Sequence, residues 1–359
     1  MAHTEIAHEA LALPRALGRA SDPQPPAAEA SSPWPIFRSH ARSIVPGVVT
    51  CLVILITIEL AVFRSGFFIS ELQVSSPDFP AAKLALAQRS ADARVLYVGD
   101  STILTGVAPS EVSARCACGP GFNGGFAAAT PWLTSAMTKR LLEYEHPALV
   151  VIGLAPWDVA SGNTFNDSEL AHEILTPSEL GALDVHVDIG ASIDEAFASI
   201  VSAYGERLLI KEWIASLMPQ QRYDEGQRGY YAVPGSATTA NQLAAEVARM
   251  KVVHPGVPSI DSPGVLVTRS LIANLRARGI VVAVLVPPLH PAAYVQNGAY
   301  LEGAEVVIRD LAREQGAPLI DCRSATSVDD FRDLLHLRES GALKLSTCVG
   351  EQIRALIGG

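Results

Sequence analysis

Short, continuously apolar runs alternate with helical patterns over the last three quarters of the chain. Runs without polar alternation are typical of strands buried on both faces, and four have this form: 94–98, 148–154, 280–287 and 317–322. Helical patterns lie between them at Trp132–Tyr144, Gly264–Arg278 and Tyr300–Gln315. This β-α-β series predicts an α/β three-layer sandwich with a mostly parallel, flavodoxin-like sheet.

Residues 160–262 break this rhythm with a proline-containing, polar stretch and a helical segment, TANQLAAEVARM. We interpret them as an insertion in a domain that spans 92–359. Insertions at the carboxyl edge of such a sheet commonly form the walls of a substrate site. A linker is expected over 64–91.

A second kind of pattern occupies the beginning of the chain. The 20 residues Ile44–Phe63 are almost entirely apolar, which is long enough for one transmembrane helix. A buried core helix is the alternative, but only Glu59 interrupts the run. Residues 1–43 begin with an Ala-, Pro- and Ser-rich stretch, 1–33, that has few large apolar side chains, so we expect a disordered segment there.

Charge predicts the orientation of that helix. Arg38 and Arg42 precede the apolar run and Arg64 alone follows it closely, so the positive-inside rule places residues 1–43 in the cytoplasm and the domain outside it. The protein is then expected in the cytoplasmic membrane with a periplasmic domain. The net charge of -10 and the absence of a basic block argue against a nucleic-acid partner.

One short motif carries candidate chemistry after the first strand. Ser101 follows Gly99-Asp100 where a parallel sheet presents its ligand crevice, so it is either a nucleophile or part of a helix cap. Near the end of the chain, Asp333 and His336 are three residues apart, one helical turn, and could supply an orienting carboxylate and a base. His290, just after the strand at 280–287, is the other candidate base.

Together these motifs resemble those of the SGNH (GDSL-like) hydrolase superfamily. The resemblance implies Ser101 as the nucleophile, His336 as the base and Asp333 as its orienting partner. FNGGFAAATPW (122–132) is similar to the family's second motif, which places Ala128 where a glycine N–H normally binds the oxyanion. A membrane helix before such a domain resembles the branch that includes alginate acetylation proteins and the D-alanyl-lipoteichoic acid protein.

The third motif of that family departs from its usual form. In VVIGLAPWDV (150–159), Trp157 stands where an asparagine donor is expected, followed by Asp158. Asn123 or Asn163 could replace the missing donor. Trp157, Asp158 and His290 are expected to line the substrate cleft.

Other patterns favour simpler interpretations. Gly119–Gly124 fits G-x-G-x-x-G but follows a Cys-Ala-Cys loop, so we do not predict a dinucleotide site. Asp184, His186 and Asp188 alternate as on a solvated strand face, and we predict neither a metal nor a cofactor. An even number of cysteines in the exported part permits a disulfide between Cys322 and Cys348.

The resemblance implies a membrane-anchored serine enzyme that moves or removes acyl groups on exported glycans. Its partners would be an exported polysaccharide or another acyl ester and a multipass membrane acyltransferase. A lipid or carboxylic ester hydrolase is one alternative, favoured by a deep apolar slot. A non-catalytic scaffold or glycan-binding subunit is another, favoured by triad side chains too far apart to bond.

Overall fold

The computed structural model describes residues 34–63, 80–161, 174–175, 227–232, 239–253 and 256–357. Expectations for 1–33, for 64–79 and for most of the insertion lie outside these residues; those for Asn163, Asp184, His186 and Asp188 are among them. The chain divides into two compact units, Met1–Ile54 and Leu55–Gly359, and the sheet belongs to the second.

Within the described residues the sheet has five strands, all parallel, in the order β2-β1-β3-β4-β5. Their bounds are β1 Val95–Val98, β2 Gly121–Asn123, β3 Leu149–Gly153, β4 Val281–Val286 and β5 Leu319–Asp321. This is a doubly wound order, in which helices cover both faces. The predicted mostly parallel α/β sheet is confirmed.

Helices connect the strands and form the two outer layers. In chain order the described helices of the second unit are α2 Pro80–Ser90, α3 Ser101–Gly106, α4 Pro109–Cys116, α5 Pro131–Leu141, α6 Ala240–Val253, α7 Pro263–Ala277, α8 Pro291–Glu314 and α9 Glu339–Ile357. Alternate strand residues face the two layers: Leu96 packs with α2, α5, α7 and α8, whereas Tyr97 packs with α3, α4 and α9. The sheet is therefore buried on both faces.

Sequence and structure differ at strand β2 and at the start of helix α8. β2 was not predicted because it has only three residues, one of them glycine, and its strand conformation depends on pairing with β1. Helix α8 begins at Pro291, nine residues before the predicted start at Tyr300. Proline is well suited to the first position of a helix, and His290 caps this one.

Helix α1, Trp34–Ile58, continues into a single π-helical turn, Glu59–Phe63, so the predicted apolar run is helical. Its large apolar side chains from Val48 to Ile58, and Leu60 beyond, are exposed. Across the part of the chain that the structure describes, no helix has both the length and the apolarity needed to cross a membrane.

A disulfide joins Cys322, just past β5, to Cys348 in α9, with their Cα atoms 5.9 Å apart. This confirms the pairing expected from the sequence. The bond closes a segment of the chain that contains both Asp333 and His336. A second disulfide joins Cys116 and Cys118, which are only two residues apart.

We expect the double substitution Cys322→Ala/Cys348→Ala to lower the free energy of unfolding by about 3 kcal/mol, because the unfolded chain regains the entropy of a long loop. Urea unfolding of the full-length protein in detergent measures the change. Cys116→Ala/Cys118→Ala is the matched control and should lose far less, since it opens only a very short ring. Equal losses in the two double variants would contradict the loop-closure account.

Candidate active site

Ser101 is the first residue of α3 and lies directly beyond the carboxyl end of β1. Gly99 makes the turn between them with a φ of +152°, and a Cβ at this position would lie 2.6 Å from Ile103. Asp100, rather than Ser101, caps the helix: its Oδ1 accepts the Thr102 N–H at 2.9 Å and the Thr102 hydroxyl at 2.5 Å. The Ser101 hydroxyl is therefore not used as the cap.

Ser101, His336 and Asp333 form a continuous chain of hydrogen bonds. His336 Nε2 lies 2.9 Å from Ser101 Oγ, and His336 Nδ1 lies 2.8 Å from Asp333 Oδ2. All three side chains are partly buried. A hydroxyl bonded to an imidazole that a carboxylate orients is the arrangement that activates a serine nucleophile.

The segment that carries Asp333 and His336 is a turn rather than the expected helix. Phe331 and Leu337 form an antiparallel bridge, and the Arg332 N–H donates to the His336 carbonyl at 2.9 Å. At the tip, Asp333 Oδ1 accepts the backbone N–H groups of Leu335 and His336. The spacing of three residues still lets carboxylate and imidazole meet, because the turn folds back on itself.

These contacts hold Asp333 in its charged form. Burial alone would raise the pKa of this carboxyl group. The hydrogen bond and charge of His336, together with the two backbone N–H donors, outweigh burial and place the pKa below its usual value. Asp333 is thus an anion that can stabilise a positive charge on the imidazole.

Asn123 is not available as an oxyanion donor. It is fully buried, and its amide nitrogen donates to the carbonyls of Ile103 and Val107, both at 2.7 Å. Its Oδ1 accepts the Gly125 N–H at 2.9 Å. Asn123 instead fastens the 123–128 loop to α3, so this sequence-based suggestion is corrected.

Two residues of that loop have backbone positions that favour glycine. A Cβ on Gly125 would lie 2.7 Å from the Leu104 nitrogen, so only glycine fits there without a shift. Ala128 is exposed and has a φ of 52°, a left-handed conformation that glycine adopts more easily. None of the described residues accepts a hydrogen bond from the backbone N–H of Ser101 or Ala128.

Trp157 and Asp158 both interact with Asp100, the residue before Ser101. Trp157 is partly buried, and its indole N–H donates to Asp100 Oδ2 at 3.0 Å. Asp158 is 5% exposed and accepts the Ala155 N–H at 2.8 Å, so it does not form the exposed cleft wall expected from the sequence. Burial raises the pKa of the Asp100 and Asp158 carboxyl groups, and the charge of Asp100 raises the pKa of Asp158 further.

His290 serves as a helix cap rather than as the base. It is 8% exposed, its Nδ1 accepts the Ala292 N–H at 3.0 Å, and its ring packs edge-on against Phe331. Burial lowers its pKa, and nearby Glu246 only partly offsets this effect. The imidazole beside Ser101 is that of His336, so the expectation of His290 as a cleft or catalytic residue is corrected.

Sequence reasoning missed Thr102, Gly125 and Glu246, which contact the site through backbone atoms or through Asp100. Only Gly125 had a signal, as part of an Asn-x-Gly stretch. Within the described ranges, no group of three or more His, Cys, Asp or Glu side chains could hold a metal ion.

Comparison with known proteins gives remote similarities only. No family model and no curated protein matches the chain. Among solved structures, a carbohydrate acetylesterase from Sinorhizobium meliloti is 16% identical, and the match covers 73% of this chain and 98% of that one, with a TM-score of 0.34. A carbohydrate acetylesterase family member from the same organism is 14% identical, and the match covers 74% of this chain and 99% of that one, with a TM-score of 0.33. A protein assigned to the G-D-S-L lipolytic family, from Desulfitobacterium hafniense, is 11% identical, with coverages of 73% and 99% and a TM-score of 0.34.

We expect Ala128→Gly to raise the free energy of unfolding by about 1 kcal/mol, because glycine removes the strain of the left-handed conformation. Urea unfolding measures this change. Ala129→Gly is the control at the next position, which is buried and has no positive φ, and it should destabilise the protein. Destabilisation by both substitutions would contradict strain at Ala128.

The Asp100–Asp158 pair predicts a pH-dependent effect of Asp158→Asn. An acid with a raised pKa in the folded state destabilises the fold as pH rises above its unfolded value of about 3.9, because only the folded state retains the proton. The variant should therefore match the wild type near pH 4 and become progressively more stable than it towards pH 7. Unfolding in urea across this range tests it, with the exposed Asp329→Asn as control; parallel profiles would count against the pair.

Proposed function

We propose that the protein is a serine acyl-ester enzyme of the SGNH type, an esterase or O-acyltransferase. The observation that carries this proposal is the hydrogen-bonded chain from Ser101 Oγ through His336 to Asp333. In this reaction Ser101 Oγ attacks the acyl carbonyl and His336 Nε2 takes its proton. The proton then passes to the leaving alcohol as the carbonyl re-forms, leaving an acyl group on Ser101.

Backbone N–H groups are our proposed oxyanion donors. Of the two side-chain donors considered from the sequence, the Asn123 amide bonds to backbone carbonyls, and Asn163 lies outside the described residues. The indole of Trp157, which stands where the family has its donor, bonds to Asp100. The N–H of Ser101 and that of Ala128 have no acceptor among the described residues. Preorganised donors of this kind stabilise the charge that develops on the carbonyl oxygen.

An exported glycan is our proposed acceptor or substrate. Two aromatic residues with partly exposed side chains belong to the surroundings of α3: Trp157 bonds to Asp100, and Tyr231 donates its backbone N–H to the Leu104 carbonyl at 3.1 Å. Exposed aromatic rings can stack on sugars. The exposed apolar side chains of α1 support a membrane anchor that keeps the domain near such a glycan outside the cytoplasm.

A scaffold protein would not need an aligned triad. Triad side chains too far apart for hydrogen bonding would have favoured that role, whereas Ser101 Oγ lies 2.9 Å from His336 Nε2. The geometry thus favours an enzyme over a non-catalytic subunit.

Labelling of the full-length protein with an alkyl fluorophosphonate tests the proposed function. We expect covalent modification of Ser101, with loss of labelling in Ser101→Ala and at least a hundredfold slower labelling in His336→Ala, because the serine then lacks its base. Ser110→Ala, at an exposed serine, is the control. Absence of labelling in the folded wild type would favour the scaffold alternative.

Transfer and hydrolysis are separated by a second measurement. An activated acetyl ester is incubated with the protein, with and without an exported polysaccharide, and acetate and glycan esters are followed separately. Glycan ester that disappears in Ser101→Ala supports transfer, whereas acetate alone at an unchanged rate identifies an esterase.

A further inference from the structure

The turn that carries Asp333 and His336 is anchored at its tip by Leu334. This side chain is 2% exposed and packs in a small apolar cluster with Val247 of α6, Leu289 just before α8, and Ala293 and Leu301 within α8. Trp157, which bonds to Asp100 beside the nucleophile, packs against the same cluster. The tip of the turn is therefore embedded in parts of the chain that are remote in sequence.

The backbone of Leu334 is held on both sides. Its N–H donates to Glu246 Oε2 of α6 at 3.3 Å, and its carbonyl accepts the His290 N–H at 3.0 Å. The bonds that Leu335 and His336 donate from their backbone N–H groups to Asp333 stay within the turn. In contrast, the two bonds of Leu334 connect the turn to the rest of the domain and so restrict its rotation relative to Ser101.

Glu246 holds the turn from outside the core of the fold. Helix α6 lies in the insertion at 160–262, outside the β-α-β series, yet it supplies both the carboxylate and Val247 to Leu334. A carboxylate is a strong acceptor for a backbone N–H, stronger than a neutral oxygen. Small displacements of a base relative to its nucleophile are costly to catalysis.

We infer that Glu246 is a positioning residue, which by accepting the Leu334 N–H fixes the orientation in which His336 meets Ser101. The inference rests on the proposed function and adds a role for the insertion: it sets the geometry of the triad from outside the core fold. Glu246 acts only through the turn and has no contact with the reacting atoms in this role.

Steady-state kinetics of the full-length protein with an activated acetyl ester tests the inference, with the concentration of reactive sites titrated by fluorophosphonate. Glu246→Ala should lower kcat per reactive site about tenfold with little change in KM, because the base is misplaced while the cleft is kept. Glu246→Gln retains an acceptor oxygen and should recover most of kcat. Glu302→Ala, an exposed carboxylate on α8, is the matched control and should behave as wild type.

A second variant tests the inference even if Glu246→Ala folds poorly. Glu246→Asp keeps the charge, but its side chain is one methylene shorter, so the carboxylate lies farther from the Leu334 N–H. It should show the same loss of kcat. Wild-type kcat in either Glu246→Ala or Glu246→Asp would overturn the positioning role, as would an equal loss in Glu246→Gln. If the wild type is neither labelled by the fluorophosphonate nor able to turn over the ester, the proposed function fails, and the inference fails with it. An active wild type whose kcat does not change on substitution of Glu246 is a different result, which overturns the inference alone.

Discussion

The hydrogen bond between Ser101 and His336 joins two segments that lie 235 residues apart, and the arrangement of the domain can be understood from what this contact requires. All five strands are parallel, so their carboxyl ends share one edge of the sheet. Ser101 follows β1 directly, and the turn 331–337 comes after β5. An all-parallel sheet therefore brings the two ends of the domain's chain to one crevice.

The Ser101 side of that crevice depends on buried polar side chains that hydrogen-bond to other groups of the protein. Asp100 caps α3 and accepts the Trp157 indole, while Asn123 ties the neighbouring loop to the same helix. Buried polar groups without partners would cost free energy, so these bonds also specify one conformation. Trp157 stands where a side-chain donor to the oxyanion was expected, and its indole N–H donates instead to Asp100.

The base side is held by a different set of interactions. The turn 331–337 has few residues and no regular secondary structure, so its position must come from its surroundings. The disulfide between Cys322 and Cys348 shortens the free chain around it, and Leu334 is buried between α6 and α8. The position of His336 relative to Ser101 therefore depends on both the core fold and a helix of the insertion.

The sequence by itself determined the elements whose signals are local. Short, continuously apolar runs predicted four of the five described strands, and the motifs around Ser101 and Asp333–His336 identified the residues that meet. Tertiary structure decided the rest: β2 exists by pairing with β1, Asn123 bonds to α3, His290 caps α8, and Glu246 reaches Leu334. A hydrogen bond to a backbone group far along the chain imposes no periodicity and no fixed spacing, so these roles become visible only when the partners are folded into contact.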